Sequence, residues 1–176
     1  VLKRMGRSGS ARELRQLFSR LRSEIDGIVL RTTGLVGFPG ETEQEFEELV
    51  DFIREEEFDY TSVFGYSRED GTRAAAMPGQ LCDEDRLERE QRLHDVAEEL
   101  GFAATASHVG EVVDVIIDGV EGGTPDGELI GHAWFQAPDC DGAVHIASGE
   151  ASVGDVVRVR LVGSFCYELD GEILEG

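Results

Sequence analysis

The sequence predicts an α/β part that contains a parallel sheet, followed by a small all-β barrel. Up to residue 106, stretches with apolar residues at helical spacing alternate with runs typical of buried strands. From Val109 onward, short segments alternate apolar and polar residues and are separated by glycine-rich turns. We therefore expect two domains, residues 1–106 and 107–176.

The first part predicts helix, strand, helix, strand and helix in that order. Ser10–Glu13 and Thr42–Glu45 have the pattern of capping boxes, in which a hydroxyl and a carboxylate bind the free amides of a first helical turn. Residues 28–36 and 58–66 read as strands, and Asp83 is expected to cap the third helix. The inner face of that helix is predicted to consist of Leu93, Val96, Ala97 and Leu100.

Two parallel strands with three helices cannot bury both faces of a sheet and protect its edges. We therefore expect further strands upstream of Val1, so that the chain begins inside a longer protein. The second part, in contrast, has enough strands to form a sheet without open edges. Its five short strands predict a small closed barrel, and they are placed at residues 109–118, 128–135, 143–147, 155–162 and 165–169.

The net charge of −21 is unevenly distributed along the chain. Residues 1–31 carry +5, residues 32–106 carry −14 and residues 107–176 carry −12. An acidic C-terminal part repels nucleic-acid phosphates and attracts a basic protein, although an acidic surface also serves solubility, and both readings stay open. Since Arg158 and Arg160 are the only basic residues after residue 106, we expect no direct binding of nucleic acid.

Metal, membrane and hydrolytic functions find little support in the sequence. Cys82, Cys140 and Cys166 lie too far apart for a metal knuckle, and the four histidines are scattered, so no metal site is expected from this chain alone. There is no apolar run of the roughly 18 residues that span a bilayer. A nucleophile–base triad and a glycine-rich phosphate loop are also missing, and no catalytic residue is predicted.

Four stretches of the first part resemble the C-terminal portion of the methylthiotransferase radical-SAM barrel, a TIM-like fold. They are 1–7 (VLKRMGR), 31–42 (RTTGLVGFPGET), 64–67 (FGYS) and 71–74 (GTRA). Gly6 departs from the family, in which asparagine is usual. The second part resembles the OB-like TRAM domain that follows this barrel, and residues 136–144 (QAPDCDGAV) are similar to a segment typical of the RimO branch. In this segment Cys140 replaces an apolar residue.

The RimO branch modifies ribosomal small-subunit protein twelve, so the resemblance implies a definite chemistry. It implies S-adenosylmethionine and two 4Fe–4S clusters, a deoxyadenosyl radical, and addition of a methylthio group to the β-carbon of an aspartate. The C-x3-C-x2-C cluster motif is missing from this chain, so we expect the isolated chain to be inactive. The resemblance also implies a cytoplasmic protein, and we expect a monomer. Two alternatives stay open: a tRNA (isopentenyladenosine) methylthiotransferase of the MiaB type, and a non-catalytic acidic binding module.

Residues 37–42 follow a strand and open a helix, where parallel sheets bind their ligands. Together with the resemblance, this position suggests that the turn forms one wall of the S-adenosylmethionine pocket and that its exposed amides bind a carboxylate. The alternative is that the turn has a purely structural role. Arg31 is expected to be buried against the cofactor carboxylate or against Glu41. The predicted cofactor contacts are Arg31, Thr33, Gly37, Phe38, Pro39 and Tyr66.

A second predicted site lies in the barrel part, next to the RimO-like segment. We expect Trp134 to stand beside this segment on the surface that meets the basic partner protein. The alternative is that Trp134 and Phe135 fill the barrel core, which strand alternation predicts for one of the two. The predicted partner contacts are Trp134, Ala137, Pro138, Asp139 and Asp141.

Overall fold

The computed structural model of the chain describes residues 1–121, 127–138, 140–147 and 149–174. The chain divides into two compact units, Val1–Leu100 and Gly101–Gly176, and each is considered by itself. The third helix runs through the point of division and ends at Ser107, so the predicted boundary at residue 106 lies in the last turn of that helix. Among the described residues, none of the helices is apolar enough over a sufficient length to cross a lipid bilayer.

The first unit has the predicted order of elements. Its strands pair in parallel, with Arg31 opposite Tyr60 and Val36 opposite Gly65. A short 3-10 helix, Ala74–Ala76, lies between the second strand and the third helix. The elements are α1 (Ala11–Glu24), β1 (Arg31–Val36), α2 (Glu43–Glu56), β2 (Tyr60–Gly65) and α3 (Asp83–Ser107).

The helix starts follow the predicted capping chemistry at two of three places. The Ser10 hydroxyl accepts the Glu13 amide at 3.3 Å, and the Thr42 hydroxyl accepts the Glu45 amide at 3.1 Å. At the third helix the predicted cap was wrong by one residue. Asp83 is already helical, and the preceding residue, Cys82, accepts the amide of Asp85 through its sulfur at 3.4 Å.

One face of the two-stranded sheet is packed and the other is open. The packed face carries Val36 and meets the helices in a cluster that also contains Phe18, Phe58 and Leu93. Strand alternation places side chains of both strands on the opposite face, where Phe64 is 56% exposed. The sheet is therefore covered on one side, as expected for an incomplete layer. The open face carries Arg31, Thr33, Leu35, Tyr60, Ser62 and Phe64.

The second unit is a closed five-stranded barrel, which confirms the predicted all-β architecture. Around the barrel the order is β3-β4-β5-β7-β6, with β5 and β7 parallel and the other described pairs antiparallel. The strands are β3 (Val112–Val120), β4 (Leu129–Ala133), β5 (Val144–Ile146), β6 (Val156–Phe165) and β7 (Glu168–Ile173). Their inward side chains form the core, which includes Val115, Ile117, Leu129, Val144, Ile146, Val159, Leu161 and Leu169.

The predicted fifth strand, residues 165–169, was wrong in its placement. Phe165 ends β6, and Glu168 begins β7 after a tight turn. In that turn Cys166 adopts a left-handed backbone with φ of 55°. Turn-forming sequence signals at such positions come mainly from glycine and asparagine, so a cysteine here does not indicate a hairpin.

Substitution of Gly131 by alanine should destabilise the barrel. A Cβ at Gly131 would overlap the carbonyl oxygen of Ile116 on the paired strand, whereas a Cβ at Gly119 would meet no atom of the described residues within 4 Å. We expect Gly131→Ala to lower the free energy of unfolding by about 2 kcal/mol, in the range of overpacking mutations. Trp134 is the single tryptophan and lies in this unit, so its fluorescence during urea unfolding reports the change.

The matched control is Gly119→Ala, which should leave the urea midpoint unchanged within error or raise it slightly. Equal midpoints for the two variants would show that β3 and β4 can separate without cost at this position.

Candidate functional site

The carboxyl ends of β1 and β2 bring together four of the predicted cofactor residues. Gly37, Phe38 and Pro39 follow β1 and are buried, and Tyr66 follows β2. The Tyr66 amide donates to the carbonyl of Val36 at 2.8 Å, and the Phe38 and Tyr66 rings meet edge to face at 5.4 Å. The turn after β1 therefore lies against the end of β2, as its position in the sequence predicted.

A buried ion pair holds this turn in place. The Glu41 carboxylate accepts the Gly37 amide at 2.9 Å and a guanidinium N–H of Arg89 at 2.7 Å. The Glu41 and Arg89 side chains are 2% and 11% exposed. Arg89, which lies on α3, also donates to the Glu41 carbonyl at 3.2 Å and to Glu43 at 2.9 Å. The turn is thus fixed to both α2 and α3.

The turn does not offer the exposed amides that the sequence predicted. The Gly37 amide binds Glu41, and the Gly40 amide donates to the carbonyl of Gly79 at 2.7 Å. The Thr42 amide donates to the Glu45 carboxylate within the capping box. Three amides of the turn are therefore already satisfied within the chain, and the expectation that they bind a ligand carboxylate was wrong for these three.

Arg31 does not occupy the predicted position. It is the first residue of β1, it is exposed, and its guanidinium lies 4.3 Å from the centre of the Tyr60 ring. Val36, at the other end of the strand, is five residue steps away, a distance of roughly 16 Å. Its expected burial and its expected pairing with Glu41 were wrong, because the chain supplies Arg89 for that role. Arg31 and Thr33 lie instead on the open face of the sheet, and their contact with a cofactor stays a prediction.

The arginines of α3 were missed by the sequence analysis. Arg86, Arg89 and Arg92 recur every third residue and so share one side of the helix. Arg92 pairs with Glu43 at 2.8 Å and also with Glu47. The spacing was a usable signal, since a row of arginines on an α3 that must pack against acidic α2 predicts interhelical pairs.

Tyr66 has a feature that points to a missing partner. Its hydroxyl oxygen is buried and has no hydrogen-bond partner among the residues that the structure describes, whereas buried hydroxyls are normally paired. The ring lies beside Phe38 at the carboxyl end of the sheet. A polar ligand atom at this end would satisfy the hydroxyl.

In the second unit the described members of the predicted partner set follow β4 and lie outside the strands. Trp134 is 61% exposed and Phe135 is 4% exposed, which confirms that one of the two fills the core. Phe135 stacks on the His108 ring, with centroids 3.8 Å apart. Pro138 is exposed, and the Asp141 carboxylate accepts the Ala137 amide at 2.6 Å, so Asp141 shapes the loop. Asp139 lies outside the described residues.

Comparisons with known proteins agree with this architecture. Residues 109–174 match the family model described as "TRAM domain", so the second unit contains a TRAM domain. The chain is 44% identical over 176 residues to the ribosomal protein uS12 methylthiotransferase RimO of Geobacter sulfurreducens, covering 99% of this chain and 39% of that protein. The RimO of Pelotomaculum thermopropionicum is 45% identical over 175 residues, with 98% and 39% coverage. The chain is thus a relative of RimO methylthiotransferases over nearly its whole length, and it spans about 39% of the length of these curated relatives.

Removal of the Arg89 charge should destabilise the first unit strongly. In Arg89→Met, the Glu41 carboxylate would stay buried without its counter-charge, which typically costs about 3–5 kcal/mol. Urea unfolding followed by helical circular dichroism measures this loss. The matched control is Arg20→Met, which breaks an exposed pair with Glu24 and should cost less than about 1 kcal/mol. Similar losses in both variants would refute a structural role for the buried pair.

The free energy of unfolding should depend on pH through the Glu45 carboxylate of the α2 capping box. The Thr42 amide, followed by the Arg4 guanidinium, lowers the pKa of Glu45 from 4.5 to about 2. A carboxyl whose folded pKa is depressed stabilises the fold above its unfolded pKa and loses this contribution as pH falls. The stability advantage of wild type over Glu45→Gln should therefore be full at about pH 6 and vanish by about pH 2. Urea unfolding across this range measures it.

Glu48→Gln is the control, because Glu48 lies on the exposed side of the same helix. Its difference from wild type should stay small at every pH. A Glu45→Gln difference that persists unchanged at the acidic end would contradict a lowered pKa for Glu45.

Proposed function

We propose that this chain is the C-terminal part of a radical-SAM methylthiotransferase that adds a methylthio group to the β-carbon of an aspartate of ribosomal small-subunit protein twelve. The observation that carries the proposal is the 44% identity to a RimO methylthiotransferase over 99% of the chain. The first unit supplies the last strands and helices of the catalytic barrel, and the second unit supplies the TRAM domain. The protein acts in the cytoplasm.

The open sheet face supports the barrel assignment. In a closed parallel barrel, one face of every strand points to the interior and the other is covered by helices. The sheet of the first unit has this arrangement, since its helices pack on one face and Phe64 and its neighbours are exposed on the other. Additional parallel strands beside β1 or β2 would convert the open face into a barrel interior.

The residues at the carboxyl end of this sheet fit S-adenosylmethionine. Tyr66 offers a buried hydroxyl without a partner, and the Phe38 ring beside it offers an apolar surface. Thr33 lies on the open face of β1 and would reach the interior of the completed barrel. In the proposed enzyme, Tyr66 donates to a polar atom of the cofactor while Phe38 and Pro39 exclude water from it. When bound and reductively cleaved, S-adenosylmethionine supplies the radical chemistry.

The residues present do not fit the two 4Fe–4S clusters. Cys82, Cys140 and Cys166 are exposed and are widely separated in sequence. The groups of metal-ligating side chains found in the described part of the chain contain no cysteine. The cluster ligands would therefore belong to other parts of the full-length protein, and the isolated chain would be inactive.

The acidic charge of residues 107–176 supports a basic protein as the partner. The exposed Trp134 and Pro138 lie in the same loop and would provide apolar contact area within this acidic surface. Direct binding of nucleic acid is disfavoured by the same charge, because phosphates would be repelled.

The test uses the full-length protein with reconstituted clusters, S-adenosylmethionine, a reductant and a sulfur donor. Mass spectrometry of ribosomal small-subunit protein twelve should show one added methylthio group on an aspartate. In the Tyr66→Phe variant, loss of the hydroxyl should raise the KM for S-adenosylmethionine by about tenfold, the equivalent of one hydrogen bond. The control Tyr167→Phe changes a tyrosine of the second unit and should leave this KM unchanged.

Other outcomes would overturn the assignment. Modification of tRNA in place of the protein would identify a MiaB-type enzyme. Binding of the basic protein without any modification of protein or tRNA would leave a non-catalytic acidic binding module. An unchanged KM in Tyr66→Phe would remove this residue from the cofactor site.

A further inference from the structure

Four strands of the TRAM barrel bring a histidine and three glutamates together. Glu121 follows β3 and Glu128 precedes β4, and their backbones are joined by a 2.8 Å hydrogen bond from the Glu121 amide to the Glu128 carbonyl. His145 lies in β5, between β4 and β7. Potential ligand atoms of Glu121, Glu128 and His145 all lie within 4.8 Å of one another.

The fourth residue, Glu168, orients the histidine. Its carboxylate lies 3.1 Å from His145 Nε2 and also accepts the Ala143 amide at 2.6 Å. The other ring nitrogen, Nδ1, faces Glu128 at 3.5 Å. A carboxylate on one ring nitrogen fixes the tautomer and leaves the lone pair of the other nitrogen for a cation, an arrangement typical of histidine ligands in metal sites.

We propose that His145, Glu128 and Glu121 bind a divalent cation of the zinc type, with Glu168 as the positioning residue for His145. One imidazole and two carboxylates form a ligand set that suits Zn²⁺, and the imidazole disfavours Mg²⁺ and Ca²⁺, which prefer oxygen ligands. This proposal does not depend on the function proposed above. No metal site was expected from the sequence, because the histidines are scattered along it and only the sheet register brings these ligands together.

The electrostatics of the barrel also favour a cation. Residues 107–176 carry −12, and three carboxylates surround a single imidazole at this site. A bound divalent cation would offset their mutual repulsion. A competing arrangement without metal is a protonated His145 that pairs with Glu128 and Glu168, and the experiment must separate the two.

A second group, His94, Asp95 and Glu98, provides an internal control. These residues lie on one helix, two of them are exposed, and His94 contacts Glu98 across a single turn at 3.6 Å. In the described part of the chain, the carboxylate that pairs with the His94 ring comes from the same helix, and no other element contributes one. We assign no site to this group, so His94→Gln serves as the matched variant.

Isothermal titration of the untagged 176-residue chain with Zn²⁺ tests the proposal. Wild type and His94→Gln should bind one equivalent with the same dissociation constant, and excess Mg²⁺ should not compete. His145→Gln and Glu128→Gln should weaken binding at least tenfold. Glu168→Gln should weaken it by about tenfold, as expected when an orienting residue is lost. Trp134 fluorescence during urea unfolding verifies that each variant retains the folded barrel.

Nitrogen NMR of the wild-type histidines provides a measurement that needs no variant. Zn²⁺ should shift the Nδ1 resonance of His145 selectively. No saturable binding, unchanged affinity in His145→Gln, or a Zn²⁺-insensitive His145 would overturn the site and leave a metal-free ion-pair cluster.

Discussion

The buried contact between Glu41 and Arg89 is the interaction on which the geometry of the first unit depends. Two charges removed from water are stabilised only when each is paired and hydrogen-bonded. Glu41 meets this requirement by accepting the Gly37 amide as well as the Arg89 guanidinium. The same contact joins the β1–α2 turn to α3, and it holds Gly37 at a φ of 74°. The position of Phe38 beside Tyr66 therefore depends on Arg89, which lies 48 residues beyond its partner Glu41.

The two units differ in whether the edge strands of their sheets are paired. The barrel of the second unit closes on itself, so its strands pair on both sides among the residues described. The two-stranded sheet of the first unit has neighbours on one side of each strand and helices on one face. An apolar side chain such as Phe64 is exposed on its other face. This open face mixes apolar side chains with the polar Arg31, Thr33 and Ser62, and the chain spans about 39% of the length of its RimO relatives.

Local interactions made much of the fold predictable. The Ser10 cap and the Thr42 capping box join residues three apart, so their sequence pattern is close to a direct description of the structure. The expectation that one of Trp134 and Phe135 is buried was met as well, although both residues lie in the turn that follows β4 and not in the strand. The failures came from long-range or unusual backbone effects. Arg31 was expected at the cofactor carboxylate or at Glu41, whereas Glu41 pairs with Arg89 of α3, a contact between residues 48 apart in the sequence.

Prediction of the sites was limited for the same reason. The Gly37–Tyr66 neighbourhood followed from strand order, because parallel strands end at the same edge of the sheet. The cluster around His145 requires the register of β4, β5 and β7, including a parallel pairing between two strands of a mostly antiparallel barrel. Neither composition nor spacing encodes that register. Each of these residues could be named from the sequence, but their proximity in the folded barrel could not be predicted.

The acidic residues of the two units differ in their physical role. In the first unit many carboxylates are neutralised by nearby arginines, as in the contacts of Glu45 with Arg4 and of Glu43 with Arg92. The negative charge of these carboxylates therefore stabilises contacts within the first unit. After residue 106, fourteen acidic residues are accompanied by only two arginines, and described carboxylates such as Asp118 and Glu168 contact histidines instead. Arginine cannot neutralise this part of the chain as it does the first unit, so residues 107–176 keep a negative field that extends over about 10 Å at moderate salt.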